Sequence, residues 1–374
     1  MKTIEATATN APTGAAAAAQ QQFRHRAEQF AVNVMDIVNA GALSMMISMG
    51  HRTGLFDTMS RTAAPATPVA IAAAAGLSER YVREWLGAMF TGGIVEHDHA
   101  AGTYHLPPEH AACLTRAAAP NNIAVSAQWI AVLGHVEDEV TAAFRHGRGV
   151  PYSAYRRFHE VMAEESAQTV VGGLFNHILP LVPGLDERLE AGIHVLDVGC
   201  GSGMAMIAMA ATYPLSRFHG IDFSEQAIAR AQAEAARRRL SNVHFEARDV
   251  AVPDDRHCGG FDLVTAFDAI HDQARPAEVL ANVRAALRPG GVFLMQDIQA
   301  HTCHHDNAAN PLAPMIYTIS CMHCMSVSLA NGGPGLGAAW GKEKALEMLA
   351  AAGFSAVRVE TLPHDPLNFY YVAR

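Results

Sequence analysis

The sequence predicts an α/β protein in two main parts: a doubly wound sheet closed by an antiparallel hairpin and, before it, a mainly helical domain. Three observations carry this. From about residue 185 onward, short apolar runs of strand length alternate with helical segments, as crossover connections in a wound sheet require. Residues 23–118 are instead Ala-rich, with helical periodicity and few strand signals. Finally, 374 residues at about 150 per domain make two or three domains. With 50% hydrophobic and 17% charged residues, the chain can bury a real core.

In chain order, residues 1–22 read as a mobile polar tail. No basic stretch leads into an apolar run, and the alanines at 15–19 are too few for a signal peptide. Ile37–Met49 is apolar and predicts a buried helix. A short helix follows at Gly54-Leu55-Phe56-Asp57, and another, Val69–Ala75, opens at Thr67-Pro68. Ser78 is placed to cap a further helix, Glu79–Phe90, with Val82, Trp85, Leu86 and Met89 at helical spacing. Gly92-Gly93 ends it, and Ile94–Leu106 holds two β-like runs around Ala101-Gly102. Helix, turn, helix and hairpin outline a winged helix over residues 23–118.

Residues 119–184 read as a helical connector, Trp129–Phe144 and then Arg157–Leu179. A connector of this kind roofs the cleft between domains, where small molecules bind. Tyr152, Phe158 and Met162 are its candidate substrate contacts; core packing is the plainer role for such residues. The wound sheet fills residues 185–374. Its strands are expected at His194–Val198, Phe218–Ile221, Val243–Ala247, Leu263–Phe267 and Val292–Met295. Helices are expected at Met204–Ala211, Glu225–Arg238, Ala277–Leu287 and Lys342–Ala352, and Ala356–Glu360 with Asn368–Val372 closes the sheet edge as a hairpin.

Charge narrows the function. The chain has 27 Lys+Arg against 36 Asp+Glu, a formal charge of -9. Residues 1–120 hold 8 basic and 9 acidic side chains, and Arg80 and Arg83 are offset by Glu79 and Glu84. A DNA reader presents a basic face, so the winged helix reads as a dimerisation module, not a nucleic-acid binder. Six cysteines are too sparse for a disulfide scaffold. No stretch of about 18 consecutive apolar residues occurs, so no membrane span is expected. A cytoplasmic chain with reduced thiols is the expectation.

The strongest motif is Val195-Leu196-Asp197-Val198-Gly199-Cys200-Gly201-Ser202-Gly203, a strand running into a glycine turn. Its spacing is Gly-x-Gly-x-Gly, not the Gly-x-Gly-x-x-Gly of dinucleotide folds. Asp197, just before the turn, disfavours a pyrophosphate and suits a cationic amino group. Asp222 ends the second strand 19 residues after Gly203, where a carboxylate can hold ribose hydroxyls. Arg248-Asp249 ends the third strand, Phe267-Asp268 the fourth, and Leu287-Arg288-Pro289-Gly290-Gly291 precedes the fifth.

On these residues, the segment from about 190 to 300 resembles the class I S-adenosylmethionine-dependent methyltransferases, which have a Rossmann-like sheet. The whole chain resembles bacterial proteins that join a winged helix to such a domain, similar in turn to the plant-type small-molecule O-methyltransferases. The resemblance implies S-adenosylmethionine as cofactor, a small-molecule acceptor and a homodimer formed through the N-terminal domain. It assigns cofactor contacts to Asp197, Gly199, Cys200, Gly201, Gly203, Asp222, Phe223, Asp249, Val250 and Phe267.

Methyl transfer is an in-line displacement from an activated donor, and a hydroxyl acceptor often needs a general base. His271-Asp272 matches the His-Asp pair that supplies the base in the plant-type enzymes, without the Trp that flanks it there. His271 as a loop cap or cofactor contact is the plainer alternative. A second constellation, His301-Thr302-Cys303-His304-His305-Asp306-Asn307 with Cys321-Met322-His323-Cys324, places four His and three Cys within 24 residues. It reads as a polar acceptor pocket using His301, His304, His305, Asn307, Cys321 and Cys324. The alternatives are a zinc site, whose usual spacing is absent, and a buried helix carrying two small apolar thiols. No metal is assigned. Gly332–Gly337 reads as a hinge, a lid or a simple connector. The leading expectation is O-methylation with His271 as base. The alternatives are S-methylation of a small thiol or sulfide, and a DNA-binding regulator that senses S-adenosylmethionine or a metabolite.

Overall fold

The computed structural model describes residues 14–62 and 64–374. Residues 1–13 of the expected tail lie outside that range, and residues 14–22 are the first turns of a helix, not tail. That helix, α1 (Gly14–Thr53), leads into α2 (Leu55–Thr62), α3 (Pro68–Ala75), α4 (Glu79–Thr91), the hairpin β1 (Glu96–Asp98) and β2 (Thr103–His105), and α5 (Pro108–Leu114). Thr67 caps α3 by accepting from Ala70 N at 3.3 Å. Ser78 stands at the N-cap of α4 but its hydroxyl makes no capping bond. Phe56, Ile71, Trp85, Leu86 and Met89 form the winged-helix core.

Ile37–Met49 departs from expectation. It is helical, but Ile37 and Val38 are 71% and 58% exposed, with Phe30 at 68%. The apolar composition predicts burial, yet none of the described residues covers that face. Two helical stretches, Ala17–Thr53 and Ala313–Ala330, are also long and apolar enough to cross a bilayer, with mean hydropathies of 1.5 and 1.2. This corrects the expectation of no such segment, which required an unbroken apolar run and overlooked helices with scattered polar residues. The second stretch packs partly inside the protein.

The connector breaks more often than the sequence suggests. Trp129–Phe144 divides at His135–Val136 into α6 (Gln128–Gly134) and α7 (Glu137–His146). Arg157–Leu179 begins as α8 (Phe158–Ser166), then widens into two π-helical turns separated at Gly172-Gly173. Chain crowding explains the glycine, since a Cβ on Gly173 would lie 2.0 Å from the His364 ring.

After α9 (Leu185–Ala191), the chain alternates as expected: β3 (His194–Val198), α10 (Met204–Thr212), β4 (Arg217–Asp222), α11 (Glu225–Arg237), β5 (Val243–Ala247), β6 (Phe261–Phe267), α12 (Pro276–Ala286) and β7 (Leu287–Ile298). β7 starts five residues before the expected Val292, because Leu287 already pairs with Phe261. The expected buried helix at Ile316–Leu329 is α13 (Ala313–Ile319), a π-helical turn and α14 (Met325–Ala330). Then follow α15 (Lys342–Ala351), β8 (Val357–Leu362) and β9 (Asp365–Ala373).

The seven-stranded sheet has the order β5-β4-β3-β6-β7-β9-β8. β3 to β7 run parallel, and β9 is antiparallel to both neighbours. Apolar cores cover both faces, one built on α10 and α11, the other on α12 and α15. The strand order reverses between β3 and β6. A crevice opens there at the carboxyl ends of the strands, the place such sheets bind ligands.

Candidate active site

A cavity of about 220 Å³ occupies that crevice, roofed by α8 and the π-helical turns on either side. Its donor half is built by strand ends. Gly201, at φ +53°, has open space where a side chain would begin. Gly203 lies outside the lining; its missing Cβ makes room for the Phe245 ring at 2.4 Å, so it packs helix on strand. Asp222 ties the turn to the end of β4: its Oδ2 accepts from Gly201 N at 2.9 Å and its Oδ1 from Ser224 N at 2.8 Å. Asp197 accepts from Thr265 Oγ1 at 2.7 Å. Burial raises its carboxyl to about 7; the Thr265 bond opposes this and nearby Asp222 adds to it.

Of the residues expected to touch a cofactor, Asp197, Gly199, Cys200, Gly201, Asp222, Phe223, Asp249, Val250 and Phe267 line the cavity. Asp249 is held from two sides, accepting from Ala251 N at 2.8 Å and from Arg275 at 2.5 Å.

On the acceptor half, His271 is 3% exposed. The loop after β6 delivers it, and its Nδ1 lies 2.8 Å from Asp297 Oδ1. That oxygen also accepts from Ile298 N at 2.8 Å and Trp340 Nε1 at 2.9 Å. The orienting carboxylate is therefore Asp297, at the end of β7. Asp272 instead meets Gln273 Nε2 at 3.3 Å, and burial raises its carboxyl to about 6 while His271 opposes the rise. Burial pulls the His271 pKa down, but the Asp297 carboxylate pushes harder, and the net shift is well upward. Cys324 is buried beside His271, and burial raises its thiol, which keeps it protonated.

Tyr152, Phe158, Met162 and Cys324 all line the cavity. His301, His304, His305, Asn307 and Cys321 are not in its lining. His301 pairs with Glu343 at 2.8 Å, and His304 and His305 face outward. Asn307 braces its own loop, accepting from His301 N at 2.8 Å and donating to the His301 carbonyl at 2.6 Å. The segment after β7 folds over on itself before α13, which turns the 301–307 side chains away from the cleft, while Cys321 lies in the π-helical turn after α13 and outside the lining.

Sequence reasoning assigned no role to three further lining residues. His323 is 1% exposed, stacks on Phe158 at 3.8 Å between centroids, and neither ring nitrogen has a partner among the described residues. Burial lowers its pKa to about 3, so the ring is neutral. Asp268, at φ +58°, has a buried Oδ1 without a hydrogen-bond partner among those residues, 3.9 Å from His271 Nδ1. Glu165 is half-buried and accepts from Ser126 at 2.9 Å and from Trp129. The missed partner Asp297 had a signal: a charge inside the apolar run Phe293-Leu294-Met295 with Gln296.

Comparison with known proteins agrees with this fold. Residues 41–116 match the Rv2258c-like winged HTH domain, and residues 189–353 match a methyltransferase domain. A ubiquinone biosynthesis O-methyltransferase of Aromatoleum aromaticum is 35% identical over 110 residues, 29% of this chain and 45% of that protein. A trans-aconitate 2-methyltransferase of Deinococcus radiodurans is 31% identical over 118 residues, 32% of this chain and 41% of its own. The chain thus spans less than half the length of these curated relatives.

Among solved structures, human N-acetylserotonin methyltransferase in complex with S-adenosylmethionine superposes with a TM-score of 0.67, 17% identity and coverage of 92% and 97% of the two chains. An O-methyltransferase family protein from Burkholderia thailandensis gives 0.61, 17%, 92% and 97%. These likenesses establish the fold. The open space at Gly201 and the buried carboxylates of Asp197 and Asp222 suit a cationic sulfonium donor. The chain therefore matches an Rv2258c-like winged HTH domain over residues 41–116 and a methyltransferase domain over residues 189–353, on the fold that these solved structures share.

Proposed function

We propose that this protein methylates an oxygen of a planar, hydroxyl-bearing small molecule, with His271 as the general base. The observation that carries this is the buried His271–Asp297 pair at the floor of the crevice, 2.8 Å apart. Asp222, Asp249 and Val250 would hold the nucleoside end of S-adenosylmethionine, and the Asp197–Gly201 turn its amino-acid end. Bound there, S-adenosylmethionine supplies a methyl group already activated as a sulfonium. The chain's own work is to orient the acceptor, exclude water and take its hydroxyl proton onto His271 Nε2. Asp297 keeps Nδ1 as the donor nitrogen, so Nε2, beside the Cys324 thiol, is the nitrogen that takes the proton.

The roof favours a flat acceptor. The Phe158 ring stacks on His323, and Tyr152 and Tyr155 present edges to His323 at 5.4 and 4.7 Å. The thiol-acceptor alternative loses its motive, since most of the 301–324 residues that suggested it lie off the cleft. The regulator alternative is weakened as well: on α4, Arg83 pairs with Glu79 at 2.8 Å and Arg80 pairs with Glu84. The exposed apolar face of α1 supports a homodimer through the N-terminal domain, and light scattering checks it.

Labelled S-adenosylmethionine incubated with phenols, thiols and amines tests the acceptor: label in a phenol supports the proposal, label only in a thiol or amine ends it. With the accepted phenol, His271→Ala should lower kcat about 10²–10⁴-fold with S-adenosylmethionine affinity kept. Unchanged turnover would remove the base role.

A further inference from the structure

A second cluster of ligand-type side chains lies away from the crevice, at the β5 edge of the sheet. β4 and β5 run parallel with His219 beside His244 and Ile221 beside Glu246. Alternate residues of a strand share a face, so His219, His244 and Glu246 stand on one side of the sheet. The loop between β5 and β6 folds over this side and brings His257. One ligand atom from each of His219, Glu246 and His257 lies within 4.8 Å of the others. His219 Nε2 is buried and has no hydrogen-bond partner among the described residues, although Glu246 Oε2 is 3.4 Å away. A buried imidazole nitrogen with nothing to bond is costly unless a ligand completes it.

We propose that His219, Glu246 and His257 bind one divalent transition-metal ion of the zinc type, which clips the β5–β6 loop to the sheet edge. Two imidazoles and one carboxylate form a borderline-soft set that suits zinc and not magnesium or calcium. A water completes four-coordination, or His244 does, its ring 5.0 Å from that of His219.

The charged neighbours set the affinity. Arg248 donates to Asp254 at 2.9 Å and contacts His257 Nδ1 at 3.0 Å. Arg256 reaches Glu246 at 3.2 Å and also pairs with Asp254. Its side chain is 70% exposed, so it can swing aside when Glu246 turns to the ion. Displacing it lowers the affinity, and a dissociation constant on the order of 1 μM is expected. The loop so fixed also carries Asp249 and Val250, which line the crevice, and the clip therefore stiffens one wall of the donor half.

The test uses the full chain, stripped with a chelator and titrated with Zn²⁺ and Co²⁺. One ion per chain, the visible bands of tetrahedral Co²⁺ and a melting temperature raised by several degrees are expected. His219→Ala and Glu246→Gln should each weaken binding about 10–100-fold, while His271→Ala and His304→Ala leave it unchanged. Circular dichroism and apo melting temperatures show that the variants are folded. Should His219→Ala unfold, the isosteric Glu246→Gln carries the test alone. Wild-type protein that takes up no stoichiometric ion at 100 times that concentration, or folded variants that bind as wild type does, overturns the site.

Discussion

On the proposed donor side of the crevice, the lining comes from one short stretch, Asp197–Gly201, with carboxylates at the ends of β4 and β5. On the proposed acceptor side it comes from three distant segments: the α8 roof, the loop after β6 and the helices after β7. The donor side is mostly backbone and turn geometry, fixed by strand pairing such as Asp197 beside Gly220. The acceptor side is side chains held by long-range bonds, Asp297 to Trp340 among them. A site made by backbone tolerates little change in the glycine positions. A site made by side chains can be retuned one residue at a time, which is why one fold serves many acceptors.

The sharpest way to break the donor half is Gly201→Leu. No protein atom lies within 4 Å of its added Cβ, so the leucine fills ligand space and not the core. S-adenosylmethionine affinity should fall about 100-fold, as much as a misplacement of the reacting groups costs. The left-handed conformation, φ +53°, costs about 1–2 kcal/mol of stability. Calorimetric titration checks both parts, and a dissociation constant within threefold of wild type would show that the turn does not face the donor.

The acceptor half responds to Asp297→Asn. The asparagine Oδ1 can still accept from Ile298 N and Trp340 Nε1, so the fold survives while the charge beside His271 is lost. A base works in its neutral form, and the His271 pKa lies above its ordinary value because Asp297 outweighs burial. In the wild type, kcat/KM should climb with pH well above 6.5, the ordinary histidine value. In the variant burial is less opposed, and the rising limb should move to lower pH with a lower plateau, down about tenfold or more. A limb that stays in place would mean that His271 is not the titrating base.

This contrast also explains how much of the molecule could be read in the sequence. Strands and crossover helices were legible because period and punctuation are local signals, and β3, β5 and α11 appear almost to the residue. The turn that lines the crevice was legible for the same reason: Asp197 to Gly201 are neighbours along the chain. His271 was readable through its resemblance to a known pair, but Asp297 lies 26 residues on, and only the sheet brings it to the ring. Likewise Asn307 looked like a pocket residue because polar groups were dense there, and its bonds to His301 are decided by a loop that composition does not describe. The exposed face of α1 misled in the other direction, since apolar residues signal burial without saying against what.

His323→Leu sharpens the roof. Both nitrogens of this buried ring lack partners among the described residues, so leucine removes an unsatisfied polar group. The free protein should become more stable by about 1–3 kcal/mol. If the ring meets the acceptor, KM for the phenol rises about 2–12-fold, the worth of one neutral hydrogen bond, while S-adenosylmethionine affinity stays the same. A stability gain with unchanged KM would make His323 a packing residue and leave the aromatic slot without a polar reader.

The smallest effect lies on the donor side, where Asp197 is raised to about 7 from an ordinary 3.8. Between those values the unfolded chain has released this proton and the folded chain keeps it. Its contribution to stability is therefore full below pH 3.8 and is lost as pH rises to about 7, opposite to a salt-bridged carboxylate. A cationic donor reverses the preference, because it binds the ionised carboxylate and expels the proton. S-adenosylmethionine should thus bind more tightly at pH 8 than at pH 6, by a factor below about tenfold per pH unit. Asp197→Asn keeps an oxygen for Thr265 Oγ1 and removes the charge, so affinity should weaken and its pH dependence flatten. Calorimetry at three pH values in two buffers of different ionisation enthalpy measures the released proton directly. No proton release in the wild type would show that Asp197 is ionised before the donor arrives, and the wall of the crevice would then be more hydrated than its burial implies.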